Sequence, residues 1–134
     1  MKPHITISSL DADRLETLIG AMRPVSMASR ALLDEITRAD ILAPEEMPPD
    51  VVTMNSTVRF EMAGSDEVRC LTLAYPKDMA QLPNGISILT PIGSALLGLS
   101  VGDSIGWPSP DGQPLEVRVL EVVYQPERAG EYFR

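Results

Sequence analysis

Residues Thr90 to Asp103 read TPIGSALLGLSVGD. Thr90 can cap a helix, and Pro91 suits its first position, where the missing amide hydrogen would have no intrahelical partner anyway. Ile92, Ala95, Leu96 and Leu99 then recur on one face, the pattern of a short helix that covers a sheet. Gly98 or Gly102 can stop the turn.

Around this helix the pattern is that of strands. VVTMN (51–55), TVRFEM (57–62), EVRCLTLAY (67–75), GISIL (85–89), DSIGW (103–107) and LEVRVLEVVY (115–124) are short and rich in branched apolar residues. AGSD, PNG, VGD and SPDGQP separate them as turn signals. In the last strand Leu115, Val117, Val119 and, by alternation, Glu121 share one face; Glu116, Arg118, Leu120 and Val122 take the other. A cleanly apolar face predicts a sheet packed on one side, and the strands are expected to run antiparallel.

Before residue 45 the pattern is helical. In SSLDADRLETLIGAM, Asp11 is the expected cap, with Leu10 and Leu15 placed to pack as a hydrophobic staple. Leu15, Leu18, Ile19 and Met22 continue one apolar face until Pro24 forbids further helix. A second helix is expected from Ser26 or Ser29 to about Leu42, with Leu32, Leu33 and Ile36 as its stripe. Arg30, Asp34 and Arg38 stand at four-residue steps, suited to modest ion pairing. So short a connection predicts an antiparallel helical hairpin over 1–43, a linker over 44–50 and a sheet domain over 51–134. The fold class is therefore α+β.

Composition narrows the chemistry. The 134 residues are 44% apolar and 22% charged, enough for one compact domain or one domain with a small appendage. Cys70 is the only cysteine and His4 the only histidine, which excludes an intramolecular disulfide, a CxxC pair and a cysteine-built zinc site. No run approaches the roughly 18 apolar residues that cross a bilayer, and the first residues lack a signal-peptide pattern, so a cytoplasmic protein with no membrane partner is expected. The formal net charge is −8 and the pI about 4.5. That sign disfavours direct nucleic-acid binding and speeds encounter with basic protein surfaces.

Three stretches carry a family resemblance: PEEMPPDVVTMNS (Pro44 to Ser56), TPIGSALLGLSVGDSIGW (Thr90 to Trp107) and LEVRVLEVVYQPERAGEY (Leu115 to Tyr132). The order of elements resembles the C-terminal domain of the Gre-type transcript cleavage factors. The combination is similar to the Rnk family, regulators of nucleoside diphosphate kinase, a Gre-like group with a shortened N-terminal hairpin. The resemblance implies an FKBP-like sheet and, as partner, bacterial RNA polymerase core enzyme at or near its secondary channel. In Gre factors a long coiled coil reaches into that channel and its acidic tip helps to hold a catalytic magnesium ion.

Two features of this sequence depart from that machinery. Magnesium is typically held through one or two carboxylates, yet the expected turn reads Met22-Arg23-Pro24-Val25-Ser26. At about 1.5 Å per residue the Asp11–Met22 arm is roughly 18 Å long, less than half the Gre arm. The expectation is polymerase binding without transcript cleavage, in competition with longer-armed factors. No catalytic residue, cofactor, metal or small-molecule substrate is expected.

The resemblance places partner contact at the Thr90-Pro91 corner, with Ile88 and Ser94 as secondary positions. Glu45, Glu46 and Asp50 among the prolines read as a solvated, stiffened linker that could also steer the chain to a basic surface. Asp103 reads as a turn former and Cys70 as an inert buried thiol. Trp107 fits either core or rim, and His4 reads as a terminal residue without a role. Peptidyl-prolyl isomerase activity is not expected, because its aromatic-walled pocket has no counterpart among six aromatic residues spread over different elements. Direct control of nucleoside diphosphate kinase has no visible patch, and no GxxxxGK[ST] phosphate cradle is present.

Overall fold

Two short strands, absent from the sequence-based expectation, frame the N-terminal helices. The computed structural model describes residues 5–21, 27–62, 68–107 and 115–131. Strand β1 (Thr6–Ser8) leads into helix α1 (Ser9–Gly20), and helix α2 (Met27–Arg38) leads into strand β2 (Asp40–Leu42). The two strands pair in parallel, Ile7 opposite Ile41. Helix α2 thus ends four residues before the expected Leu42, and Ile41 stands 46% exposed on a strand. Ile5 and Ile7 are buried, so the start of the chain is part of the core. The turn over 22–26, His4 and the Trp107 side chain lie outside the described residues.

Helix α1 is capped by Ser8, not Asp11. The Ser8 hydroxyl accepts the Asp11 amide at 3.0 Å, which satisfies one of the first-turn donors and leaves the Asp11 side chain for another use. Leu15, Ile19, Leu32 and Ile36 are buried as their periodicity predicts. They do more than seam the helices together, since they join one continuous cluster with the sheet residues Phe60, Leu73, Leu96 and Val119. Arg38 pairs with the buried Glu35, its Nε 3.0 Å from Oε2, where the four-residue spacing had suggested Asp34.

The main sheet contains β3 (Thr57–Met62), β4 (Val68–Ala74), β5 (Gly85–Ser87), β6 (Ser104–Trp107) and β7 (Leu115–Tyr124), in the order β5-β4-β3-β7-β6. It is mixed and not purely antiparallel, because β5 runs parallel to β4. The expected strand over 51–55 is instead a single bridge, Val51 to Ser100, followed by turns. Asn55 adopts φ +67° there and donates its amide to the Leu73 carbonyl at 2.6 Å. The sheet curls through two irregularities in the β3–β7 register. Thr57 faces Tyr124 but Val58 faces Val122; Arg59 faces Glu121 but Phe60 faces Val119. Each leaves one extra residue on β7, and the first, at Leu120 between Val119 and Glu121, turns Val122 inward and Val123 outward, against simple alternation.

Helix α3 (Pro91–Leu96) lies between β5 and β6 and covers the sheet with Ala95 and Leu96. Gly98, at φ +82°, breaks the chain away from it and touches β1: the Thr6 amide donates to its carbonyl at 3.2 Å. A Cβ there would lie 2.8 Å from the Ile5 Cβ. Gly98→Ala combines left-handed strain with this clash, and we expect a loss of about 1–3 kcal/mol, readable as a lowered urea midpoint.

The 44–50 stretch is fastened to the body. Pro44–Glu46 forms a 3-10 turn in which Glu46 Oε1 accepts the Ala43 amide at 3.4 Å. Gln125 Nε2 donates to the Pro48 and Val51 carbonyls at 2.8 and 2.7 Å. Asp103 makes the turn its sequence suggested, its Oδ2 accepting the Ser100 amide at 3.1 Å. Cys70, by contrast, is exposed on β4 and not buried, because it sits opposite Arg59 on the solvent side of the sheet. The native protein should therefore titrate one thiol with a disulfide reagent as fast as the urea-unfolded chain does; a protected thiol would contradict this face assignment.

Candidate functional site

The 87–94 corner is held by side chains bonding to backbone. Thr90 Oγ1 accepts the Gly93 amide at 3.1 Å and donates to the Ser87 carbonyl at 2.7 Å. The Thr90 amide donates to the same carbonyl at 3.0 Å. Ser94 Oγ donates to the Ile88 carbonyl at 2.7 Å, and the Leu89 amide donates to Ser87 Oγ at 3.1 Å. Gly93 is required by this closure, because a Cβ would lie 2.2 Å from the Ser87 oxygen. Thr90, Pro91 and Ile92 are half-buried at the surface, whereas Ile88 and Ser94 are buried beneath them. The four residues singled out in the sequence are thus one unit, two of them facing outward and two holding the backbone from below.

A second constellation lies where α1 meets the sheet. Asp11, only 2% exposed, accepts the Met54 amide on Oδ2 at 3.1 Å and the Tyr75 hydroxyl on Oδ1 at 3.4 Å. Burial pushes its pKa from the usual 3.8 up to about 7; the Met54 hydrogen bond pulls the other way, and the nearby Glu127 charge adds to the rise. Burial likewise drives the Tyr75 hydroxyl well above its ordinary range, with the Asp11 charge adding to it, so Tyr75 stays protonated and donates. Glu127 accepts the Thr53 hydroxyl at 2.8 Å, and Thr53 shares a 2.7 Å contact with Ser56. Asp11 is the side chain through which α1 grips the turn before β3. The sequence carried a hint of it: Ser8-x-x-Asp11 has the capping-box spacing, which moves the cap to Ser8.

Beside this joint, α1 and the 3-10 turn Pro76–Gln81 enclose an open cleft of about 1100 Å³. Arg14, Leu18, Asn55, Tyr75 and Leu82 are among the residues that line it.

An α+β body with a capped corner and a helix pair locked onto its sheet is a Gre-type architecture. Residues 47–124 match the family described as "Transcription elongation factor, GreA/GreB, C-term", and residues 3–42 match "Rnk N-terminus". The regulator of nucleoside diphosphate kinase of Escherichia coli (strain K12) is 47% identical over 98% of this chain and 97% of its own length. The transcription elongation factor GreA of Clostridium novyi is 33% identical, over 63% of this chain and 55% of its own length. A solved structure titled as a prokaryotic transcription elongation factor GreA/GreB from Nitrosomonas europaea superposes with a TM-score of 0.72 at 54% identity, covering 92% of this chain and all of that one. The chain belongs to the Rnk family, which is related to the GreA/GreB factors. Among the described residues no helix is long and apolar enough to cross a membrane.

Proposed function

We propose that this chain is a non-catalytic regulator that docks on bacterial RNA polymerase core enzyme at or near its secondary channel. It does not stimulate transcript cleavage, and it competes with Gre factors for the same port. The observation that carries this reading is the union of a GreA/GreB-type C-terminal domain with helices of only twelve residues each. Twelve residues rise about 18 Å, a blunt prong in place of a long arm. The reading takes 1–43 as an antiparallel hairpin, 44–50 as the linker and 51–134 as an FKBP-like docking head. The residues between the helices, Met22-Arg23-Pro24-Val25-Ser26, include no carboxylate to offer a magnesium ion. Thr90 and Pro91 supply the contact surface of the corner, with Ile88 and Ser94 fixing its shape. The chain acts in the cytoplasm and binds neither nucleic acid nor a small-molecule substrate directly.

Purified core polymerase in a stalled elongation complex tests this directly. The chain should bind, leave the RNA uncut and reduce cleavage stimulated by an added Gre factor. Absence of binding at micromolar concentration, or RNA cleavage by the chain alone, would overturn the reading. The name of the 47% identical relative supports a second reading, control of nucleoside diphosphate kinase. Titrating purified kinase separates direct from transcriptional control: altered activity on addition of the chain means direct contact.

A further inference from the structure

We infer that Asp11 and Glu127, two buried carboxylates from opposite ends of the chain, form a proton-operated latch on the N-terminal unit of β1, α1, α2 and β2. The latch holds that unit against the sheet while one of the two keeps a proton, and lets it open when both are ionised. The device belongs to the free chain and does not depend on what the chain docks on.

The two carboxylates converge on consecutive residues of the turn before β3. Asp11 reaches across from α1 and accepts the Met54 amide at 3.1 Å; Glu127, in the turn that follows β7, accepts the Thr53 hydroxyl at 2.8 Å. Only 2% of Asp11 and 9% of Glu127 is exposed, so water screens neither charge well. The titratable and charged groups that face Asp11 are Arg14 from its own helix, Tyr75 just beyond β4 and Glu127; Ser8 adds a neutral hydroxyl. Arg14 is the one cation among them, and it also bonds the Tyr75 hydroxyl. Glu127 has no cation partner among the described residues, since its neighbour Arg128 donates to the Pro49 and Val123 carbonyls. Glu35, the third buried carboxylate among the described residues, is answered by Arg38 at 3.0 Å. Two carboxylates so placed disfavour ionising together, and one proton relieves both the repulsion and the burial cost.

The part that opens is marked out along the chain. The family match over 3–42 ends before the match over 47–124 begins. Within the first part α1 contacts α2 and β1 pairs with β2, while the second keeps its own strand ladder with α3 over it. The polar ties between the two parts include both Asp11 bonds and the Thr6 amide on the Gly98 carbonyl. Releasing Asp11 therefore loosens one unit and leaves the hydrogen bonds of the other in place. Burial, with the Glu127 charge adding to it, keeps the Asp11 proton on up to about pH 7 in the closed chain. In the opened unit the carboxyl stands in water and releases its proton near 3.8. The closed state thus holds a proton that the open state has lost, so closure is favoured at low pH and weakens as pH rises toward 7. Between pH 6 and pH 8 the opening constant should grow about tenfold.

Urea titrations of the full chain, followed amide by amide in nuclear magnetic resonance spectra at pH 6 and pH 8, decide the matter. The α1 and α2 amides should reach their unfolded positions at a urea concentration roughly 1 M lower at pH 8 than at pH 6. The β3 and β7 amides should move by less than about half as much, because Asp11 is already released when the sheet itself unfolds. Asp11→Asn carries no charge at either pH and should give the same α1 midpoint at both. Glu127→Gln keeps an acceptor for Thr53 and removes the second charge, so the shift should shrink; it also carries the test if Asp11→Asn fails to fold. If helix and sheet amides shift together, Asp11 sets only the stability of the whole chain and the latch is overturned. A shift that survives in Asp11→Asn, or one unchanged in Glu127→Gln, overturns it as well.

Discussion

Gly93→Ala should lower stability by more than about 3 kcal/mol, a fall in melting temperature of roughly 10 °C for a chain of this length. The new methyl would lie 2.2 Å from the Ser87 oxygen and 3.0 Å from the Ser87 carbonyl carbon. That oxygen is fixed by two donors, the Thr90 amide and the Thr90 hydroxyl, so it cannot retreat without breaking both. Either the corner opens or the helix start shifts away from the sheet. Gly20→Ala is the internal comparison, since among the described residues nothing lies within 4 Å of the added carbon at the end of α1. There the same substitution should stabilise by up to about 1 kcal/mol through reduced freedom of the unfolded chain. Equal melting shifts for the two variants would contradict the closed corner.

Asp11→Asn should stabilise the protein at pH 8 and flatten its stability between pH 4 and 7. In the folded chain the Asp11 carboxyl holds its proton up to about pH 7; in the unfolded chain it releases it near 3.8. Over that window the native state binds the proton that the unfolded state has lost, so this group's contribution is full below pH 4, falls as pH rises and is gone above 7. About three pKa units correspond to roughly 4 kcal/mol. Asparagine stays uncharged throughout, can still accept the Met54 amide and can turn its amide toward the Tyr75 oxygen. Urea titrations of both proteins at pH 5 and pH 8 give the comparison. The variant's gain should be large at pH 8 and small at pH 5; a gain independent of pH would remove Asp11 as the titrating group.

How far the sequence was legible follows the reach of each interaction. The start of α3 could be read directly, because the Thr90 cap and the proline at the first position act within one turn of chain; its end at Leu96, short of Leu99, and the closure over Gly93 could not. Strand β7 was legible only to Val119. Beyond it the inward residue is Val122, because a bulge against β3 between Val119 and Glu121 shifts the phase, and that bulge is set by a partner strand some sixty residues away. Cys70 was misplaced for a related reason. Its neighbours Arg69 and Leu71 do not say which side of β4 faces the core; the pairing of Cys70 with Arg59 does.

The N-terminal part divides in the same way. Periodicity alone picked out the buried stripes of α1 and α2. It missed β1 and β2, since three residues each are too few to show an alternation, and they exist only because they lie beside one another and beside Gly98. Composition, local caps and apolar periods therefore determined that this is an α+β chain with two short helices, a capped corner and neither a cysteine-built metal site nor a disulfide. Tertiary packing alone decided that the helix pair shares the core of the sheet, that Asp11 is a buried bolt between them, and that an open cleft remains beside it. The physical reason is distance along the chain: a cap or a helical stripe is satisfied by neighbours three or four residues away, whereas Asp11 meets Met54 and Tyr75 only after the whole chain has folded.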